Sequence, residues 1–184
     1  MFEFIKQFDL YTLYLIQENL RSPFLDTLMP WITYLGNQAV LWVILGLVLF
    51  LKKEHRLTGV MVFCGIFLEV LLVEAVLKPL VHRPRPFVDI QSIEILIRKP
   101  SCYFSFPSGH ATTAFASAGI LAGKIKGSGS LFISIAVLIA FSRLYLFVHY
   151  PSDVLTGVLL GLTFSIIVLS SEKRIQSLIK YIER

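Results

Sequence analysis

Long apolar stretches separated by short polar turns dominate this sequence. Residues 2–20 mix apolar and polar positions at helical spacing, which predicts an amphipathic helix lying at a membrane interface. The tail, 172–184, has a second amphipathic and basic pattern. Between these ends, apolar runs predict helices at about 23–35, 38–51, 57–80, 109–123, 131–148 and 152–170.

Polar signals mark the boundaries of these runs. Ser22 and Pro23 are typical of a helix N-cap and first helical position, and Gly36-Asn37 is typical of a helix end. Residues 81–107 are polar, rich in proline and too irregular to lie in lipid. Residues 124–130 form a short basic turn rich in glycine and serine.

The composition indicates that lipid is the solvent for most of the chain. Hydrophobic residues make up 55% of the 184 positions and charged residues only 16%, against about 25% in soluble domains. The length is typical of one domain, so residues 1–184 are expected to form a single integral membrane unit. The fold class predicted is all-α, a polytopic helical bundle of about six transmembrane helices preceded by the amphipathic helix.

The distribution of basic residues predicts the orientation. The formal net charge is +5, but no motif for DNA or RNA accompanies it, so no nucleic-acid partner is expected. Six spans bring both termini to one side of the membrane, and that side is expected to be cytoplasmic because most basic residues lie there. It holds eleven of the seventeen: Lys6, Arg21, Lys52, Lys53, Arg56, Lys124, Lys126, Lys173, Arg174, Lys180 and Arg184.

Three segments that carry reactive side chains end on the opposite, outward side. They are 78–86, 107–110 and 142–153. Topology therefore brings together three cations, Lys78, Arg85 and Arg143, which are suited to surround a tetrahedral phosphate. Basic groups at membrane depth are costly and usually functional.

The remaining residue types suit the chemistry of phosphate transfer. Ser108, Gly109 and His110 open a helix, whose N-terminal amides form an anion site, and glycine allows close backbone approach. A second imidazole, His149, precedes another helix start, so one histidine can act as nucleophile and the other as general acid. Asp153 lies four residues after His149 and is placed to orient its ring.

The complete pattern resembles the type 2 phosphatidic acid phosphatase family. Its three motifs are Lys-x6-Arg-Pro, Pro-Ser-Gly-His and Ser-Arg-x5-His-x3-Asp, all intact within residues 78–153. The resemblance implies that His149 attacks phosphorus to form a phosphohistidine, that Asp153 orients His149, and that His110 protonates the leaving lipid oxygen. It also implies a set of residues that bind the phosphate: Lys78, Arg85, Ser108, Gly109 and Arg143.

The resemblance further implies a plasma-membrane lipid phosphatase that needs no metal and no cofactor. Family substrates include undecaprenyl diphosphate, which is favoured here, phosphatidylglycerol phosphate and phosphatidic acid. Two alternatives stay open: a phosphotransferase that passes phosphate to another lipid, and a non-catalytic lipid-binding protein or channel. Oligomeric state is not predicted.

Several residues carry open interpretations. Glu74 is one turn before Lys78, so it either forms an ion pair with Lys78 within the bundle or has a role in tuning that lysine. Glu69 lies in the same apolar run and is a candidate for a supporting residue or for part of a proton path. Arg83 is a candidate contact for a second phosphate. The two cysteines, Cys64 and Cys102, are not expected to pair or to bind metal. Aromatic residues of the outer loop are expected to anchor it at the interface: Tyr103, Phe104 and Phe106.

Overall fold

The computed structural model describes residues 2–90, 93, 95–98 and 104–182, and these contain helices and connecting loops with no β-strand. In chain order the helices are α1 (Phe2–Asn19), α2 (Pro23–Gly36), α3 (Val40–Leu51), α4 (Arg56–Glu69), α5 (Lys78–Val81), α6 (Pro86–Asp89), α7 (Gly109–Lys124), α8 (Gly129–Tyr145), α9 (Pro151–Ser170) and α10 (Glu172–Ile182). The predicted all-α class is therefore confirmed for the described residues, and each predicted apolar run contains a helix.

Three further segments join neighbouring helices without a long loop. A 3₁₀ turn, Asn37–Ala39, connects α2 to α3, and a second, Lys53–His55, connects α3 to α4. A π-helical segment, Val70–Leu77, connects α4 to α5. The π-helix is rare and often found at functional sites because it changes which side chains share a face.

Side-chain caps explain where two of the helices begin. Ser22 is extended and its hydroxyl accepts a hydrogen bond from the Leu25 amide at 3.3 Å, while Pro23 occupies the first turn of α2. Ser108 plays the same part for α7, where its hydroxyl accepts from the Ala111 amide at 3.4 Å. The predicted N-cap at Ser22 and the predicted helix start at 109 are both confirmed.

The junction between α2 and α3 is a kink and not a reversal, so the predicted runs 23–35 and 38–51 join in one segment. Gln38 and Ala39 have positive φ angles of 48° and 57°, yet Pro23–Leu51 remains one 29-residue segment long and apolar enough to cross a membrane. At its start, Asp26 accepts a hydrogen bond of 2.6 Å from the Tyr145 hydroxyl at the end of α8. From the kink, α3 runs beside α4 away from that end. The described residues contain two further helices long and apolar enough to cross a membrane, Lys53–Val81 and Pro151–Ser170, and one shorter apolar helix, Gly129–Tyr145, so the predicted count of six spans is not confirmed.

The N-terminal helix lies at the end of the bundle where α8 ends and α9 begins. Asp9 accepts two hydrogen bonds from Ser152 at the start of α9, and the Gln17 side chain donates a hydrogen bond of 2.8 Å to the Tyr145 carbonyl. The expectation that both ends of the chain lie together, away from the three motifs, is therefore wrong for α1. The physical reason is the single passage of Pro23–Leu51, which places α1 and α10 at opposite ends of the bundle.

Helix α7 lies at the centre of the bundle, packed between α4, α8 and α9. Its buried positions are mostly small, which allows the neighbouring helices to approach closely. The closest approach is to α9, where Gly157 and Gly161 form a Gly-x-x-x-Gly pair. A β-carbon built on Gly161 would lie 2.5 Å from the Thr112 carbonyl oxygen and 3.0 Å from the Ala116 nitrogen. Because those atoms belong to the backbone, they cannot move aside without shifting α7.

Gly161→Ala is expected to destabilise the protein by about 1–3 kcal/mol, because the added methyl group overpacks the contact between α7 and α9. The melting temperature of the detergent-solubilised protein measures this effect. Gly129→Ala is the matched control, since its β-carbon would lie at ordinary contact distances from Ala122, 3.4 Å from Cβ and 3.9 Å from Cα. Equal melting temperatures for the two variants would contradict the close packing described.

Candidate active site

The three motif segments converge on one cavity of about 1150 Å³. Two of the eight predicted site residues, Ser108 and Asp153, do not line this cavity and are fully buried at the starts of α7 and α9. The structure therefore brings together segments that are far apart in the sequence. Six of the eight predicted site residues line the cavity: Lys78, Arg85, Gly109, His110, Arg143 and His149.

Arg85 and His149 are direct neighbours in the wall of the cavity. Arg85 Nη1 lies 3.0 Å from His149 Nε2 and donates a hydrogen bond of 2.8 Å to the Val148 carbonyl. Both side chains are at most 3% exposed. Burial first, and then the positive charges of Arg85 and Arg143, lower the pKa of His149 well below its ordinary value. The imidazole is therefore neutral at pH 7, as a nitrogen nucleophile requires.

Asp153 lies on the other side of the His149 ring, as the i, i+4 spacing predicted. His149 Nδ1 is 3.7 Å from Asp153 Oδ2, which is longer than a hydrogen bond, and Nδ1 is buried without a hydrogen-bond partner in the described residues. The same carboxylate oxygen accepts from the Tyr150 amide at 2.9 Å. Catalytic hydrogen bonds are often long in a ligand-free site and tighten when substrate binds.

His110 projects from the first turn of α7 and meets the kink between α2 and α3. Its Nε2 is 2.8 Å from Asn37 Oδ1, so with the amide assigned in this orientation Nε2 carries the proton and donates it. Gly36 packs against the same ring without room for a side chain, because a β-carbon there would lie 2.8 Å from the His110 ring. In the sequence, Gly36-Asn37 is typical only of a helix end, so nothing there indicates the contact between Asn37 and His110.

The start of α7 offers an anion site built from backbone and side chain. Ser108 is fully buried and its hydroxyl caps the helix, while its amide donates a hydrogen bond of 3.1 Å to the Asp153 carbonyl. This bond links the starts of α7 and α9 and therefore fixes the relation between the two histidines. The first amides of a helix have no partner within it, so they attract a phosphate oxygen.

Arg143 is the most deeply placed cation of the cavity. It is 2% exposed, and its Nη1 donates to the Thr33 hydroxyl of α2, while its Nε has no partner in the part of the chain that the structure describes. A buried guanidinium without a full set of acceptors is costly, and a bound anion would supply the missing ones. Thr33 was not singled out in the sequence, where it lies inside an apolar run.

The π-helical segment places a lysine and two acidic residues along one wall of the cavity. Glu69, Glu74 and Lys78 all line it. Lys78 is 5% exposed and pairs through Nζ with Glu74 Oε1, so the ion pair, one of the two interpretations of Glu74 left open by the sequence, is present. Glu69 is within hydrogen-bonding reach of Thr113 and Glu74. A β-carbon on Gly109 would lie 2.5 Å from Glu74 Oε1, so this carboxylate occupies the start of α7.

Glu74→Gln is expected to tighten the binding of inorganic phosphate about 3- to 10-fold, because a phosphate must otherwise displace the Glu74 carboxylate from Lys78. The inhibition constant of phosphate for the purified protein measures the effect. Glu54→Gln is the matched control, since Glu54 is exposed in the turn before α4 at the opposite end of the bundle. Binding that is unchanged or weaker in Glu74→Gln would show that Glu74 does not compete with the anion.

Two charged residues behind His149 complete the site. Arg83 donates a hydrogen bond of 2.7 Å to Asp153 Oδ1. It was a candidate contact for a second phosphate, but it is not among the residues that line the cavity. Its second partner is Asp9 of α1, at 2.6 Å. Asp9 was missed, although it is the one acidic residue on the buried stripe formed with Leu13 and Ile16.

The cysteines and loop aromatics lie away from this cluster or outside the described residues. Cys64 is a half-buried free thiol of α4. Cys102 and Tyr103 fall outside the described ranges, so the predictions made for them stay predictions. Phe104 packs edge-on against His82, with ring centroids 4.5 Å apart.

Comparison with known proteins identifies the family. The sequence profile of the PAP2 superfamily matches residues 57–176, a range that contains all three motifs. The chain belongs to the PAP2 superfamily. The resemblance to type 2 phosphatidic acid phosphatases, inferred from the motifs, is confirmed by this match.

Members of the PAP2 superfamily with similar sequences or structures span most of the chain. An undecaprenyl-diphosphatase of Sulfolobus acidocaldarius is 32% identical over 162 residues, covering 85% of this chain and 77% of that protein. Phosphatidylglycerophosphatase B of Bacillus subtilis is 32% identical over 171 residues, covering 85% and 80%. The crystal structure of Aquifex aeolicus LpxE matches with a TM-score of 0.76 at 32% identity, covering 88% of this chain and 94% of that one.

Proposed function

We propose that this PAP2 protein is a membrane-embedded phosphatase that hydrolyses a lipid phosphate or diphosphate. The observation that carries the proposal is the set of cations and imidazoles in one cavity: Lys78, Arg85 and Arg143 with His110 and His149. Similarity to an undecaprenyl-diphosphatase and to a phosphatidylglycerophosphatase supports the class of substrate. The apolar helices around the cavity support a lipid substrate.

In the first step His149 Nε2 donates its lone pair to phosphorus, and the bond from phosphorus to the lipid oxygen breaks. Arg85 Nη1, 3.0 Å from Nε2 in the ligand-free site, turns its donors to the phosphate oxygens. Lys78 and Arg143 offset the remaining negative charge, together with the Gly109 amide at the start of α7. Ser108 supports this site as the N-cap of α7, because its amide already donates to the Asp153 carbonyl. Asp153 orients the His149 ring and stabilises the positive charge that develops on it.

His110 transfers protons in both halves of the reaction. In the first half it donates a proton to the leaving lipid oxygen, which leaves as an alcohol or as a lipid phosphate. In the second half it accepts a proton from the water that attacks phosphorus, and the bond from phosphorus to His149 breaks. Inorganic phosphate leaves and both imidazoles return to their starting states. These steps use only groups of this chain and a water molecule, with no metal ion.

The substrate favoured by these features is undecaprenyl diphosphate, with phosphatidylglycerol phosphate and phosphatidic acid as the other candidates. The cavity is larger than one phosphate group, and the exposed cation Arg98 is among its lining residues. An additional cation at that position suits a second phosphate group. A phosphotransferase would use the same phosphohistidine with a lipid acceptor in place of water, and a channel or non-catalytic lipid-binding protein would release no phosphate.

The cavity is proposed to face the outside of the plasma membrane. Basic residues of the turns at 52–56 and 124–130, with those of α10, lie at the opposite end of the bundle and support a cytoplasmic position for that end. In a variant whose Cys64 and Cys102 are replaced by serine, Ser130→Cys, at an exposed position of the turn at 124–130, should react with a membrane-impermeant thiol reagent only after the cells are permeabilised. Reaction in intact cells would reverse the orientation.

Phosphate release from a panel of purified lipid phosphates and diphosphates, with chelator present, tests the function. We expect release to inorganic phosphate in water, with the highest kcat/KM for undecaprenyl diphosphate. Transfer of phosphate to an added lipid alcohol would favour the phosphotransferase, and absence of turnover on the whole panel would favour the non-catalytic alternative. Loss of activity in chelator would contradict the metal-free mechanism.

A further inference from the structure

The N-terminal helix carries a fully buried carboxylate, Asp9, that belongs to none of the three motifs. It lies on the stripe of α1 that packs against the bundle, where Leu13 and Ile16 are also buried. Their apolar cluster includes Leu146, Phe147 and Val148, the residues just before His149. Helix α1 therefore packs directly on the loop that carries His149.

Asp9 is connected to Asp153 through one guanidinium. Arg83 Nη2 donates to Asp9 Oδ2 at 2.6 Å, and Arg83 Nη1 donates to Asp153 Oδ1 at 2.7 Å. The guanidinium lies over the Tyr150 ring, 4.0 Å from its centroid, which fixes the plane of the fork. Each carboxylate is fully buried, so these charge-assisted bonds lie in a low dielectric and are strong.

Ser152 donates two further hydrogen bonds to Asp9. Its amide donates to Asp9 Oδ1 at 2.8 Å, and its hydroxyl donates to Asp9 Oδ2 at 2.6 Å. Ser152 directly precedes Asp153 in the first turn of α9. Asp9 therefore binds the backbone next to Asp153 and also the Arg83 guanidinium that pairs with Asp153. The network fixes Asp153 from two directions.

We propose that Asp9 is a positioning residue for the reaction, acting through Arg83 and Ser152 on Asp153 and thereby on His149. This rests on the proposed function, in which Asp153 supports a positive charge on the His149 ring. Arg83 alone would neutralise Asp153. Because Asp9 shares the guanidinium, the group of three keeps one net negative charge beside His149. Helix α1 is therefore a structural component of the active site and not only a membrane anchor.

Asp9→Asn tests the proposal because it keeps the shape of the side chain and removes its charge. We expect kcat for the best lipid phosphate to fall about 10- to 100-fold with KM within about 3-fold of wild type. The rate of phosphoenzyme formation in single-turnover mixing should fall by the same factor. The melting temperature should also fall, because a buried ion pair with Arg83 is lost, so the rates are compared well below it. The matched control is Glu18→Gln, a second acidic residue of α1 that is exposed.

An Asp9→Asn protein with the kcat of Glu18→Gln would overturn the proposal, as would a rise in KM at constant kcat. If Asp9→Asn does not fold, Ser152→Ala takes its place. It removes the hydroxyl that donates to Asp9 and accepts a hydrogen bond of 2.7 Å from Arg83 Nη1, and it leaves every charge intact. We then expect kcat to fall about 3- to 10-fold, and wild-type kcat would overturn the proposal. Wild-type protein inactive on every lipid phosphate would contradict the proposed function itself, whereas an active wild type matched by Asp9→Asn contradicts only the role of Asp9.

Discussion

His149→Ala is expected to abolish phosphate release, with kcat at least about 10³-fold below wild type, because no other group replaces the attacking nitrogen. Binding of the lipid phosphate should persist, since the three cations and the start of α7 remain in place. Turnover of a lipid phosphate measures the first effect, and binding of a labelled, non-hydrolysable analogue measures the second.

His55→Ala is the matched control, because His55 is exposed in the turn before α4, at the end of the bundle away from the cavity. It should keep wild-type turnover. The pH profile offers a second check. Because the pKa of His149 lies well below its ordinary value, kcat/KM of the wild type should stay high at neutral pH and fall only below about pH 6.5. An acid limb centred above pH 7 would show that a protonated His149 is present in the free protein.

His110→Ala is expected to slow hydrolysis of a lipid phosphate about 10²- to 10⁴-fold, because the leaving alkoxide then departs without a proton. An aryl phosphate, whose leaving group is a much weaker base, needs that proton far less. The first burst of aryl alcohol from His110→Ala should therefore approach the wild-type rate. Rapid-mixing kinetics with the two substrates measures the difference.

This dependence on the leaving group separates a proton donor from a structural residue. His110 also contacts Asn37 and Gly36, so its removal loosens the kink between α2 and α3. Such a structural loss would slow both substrates equally. Asn37→Ala is the control, because it removes the same contact and leaves the imidazole in place, and it should slow both substrates to a similar and smaller extent.

The helices were predictable because each apolar run has caps and breakers at its ends, such as Ser22-Pro23 before α2 and Ser108 before α7. The path of the chain between them was not. Gly36-Asn37 is typical of a helix end, and α2 does end there, but a kink and a reversal share that signal. The outcome depends on what Asn37 and Gly36 contact, namely His110, which lies 73 residues away in the chain.

The motif residues of the site were predictable because their spacing and topology place them at one end of the bundle. The groups that hold them were harder to find. Glu74 and Lys78 are a recognisable i, i+4 pair, yet a π-helical segment is not signalled by the sequence. Asp9 offers a weak signal as an acidic residue on an apolar helix face, but its partners, Arg83 and Ser152, are 74 and 143 residues distant and are known only from the fold.

Rapid quenching after mixing with a ³²P-labelled lipid phosphate tests the central claim, that His149 attacks phosphorus inside the cationic cavity. The labelled phosphoryl group should appear on the protein within the first turnover, survive alkali, disappear in acid, and map to the peptide that contains His149. Label on another residue, or single-turnover hydrolysis with no labelled protein at any time, would contradict the claim.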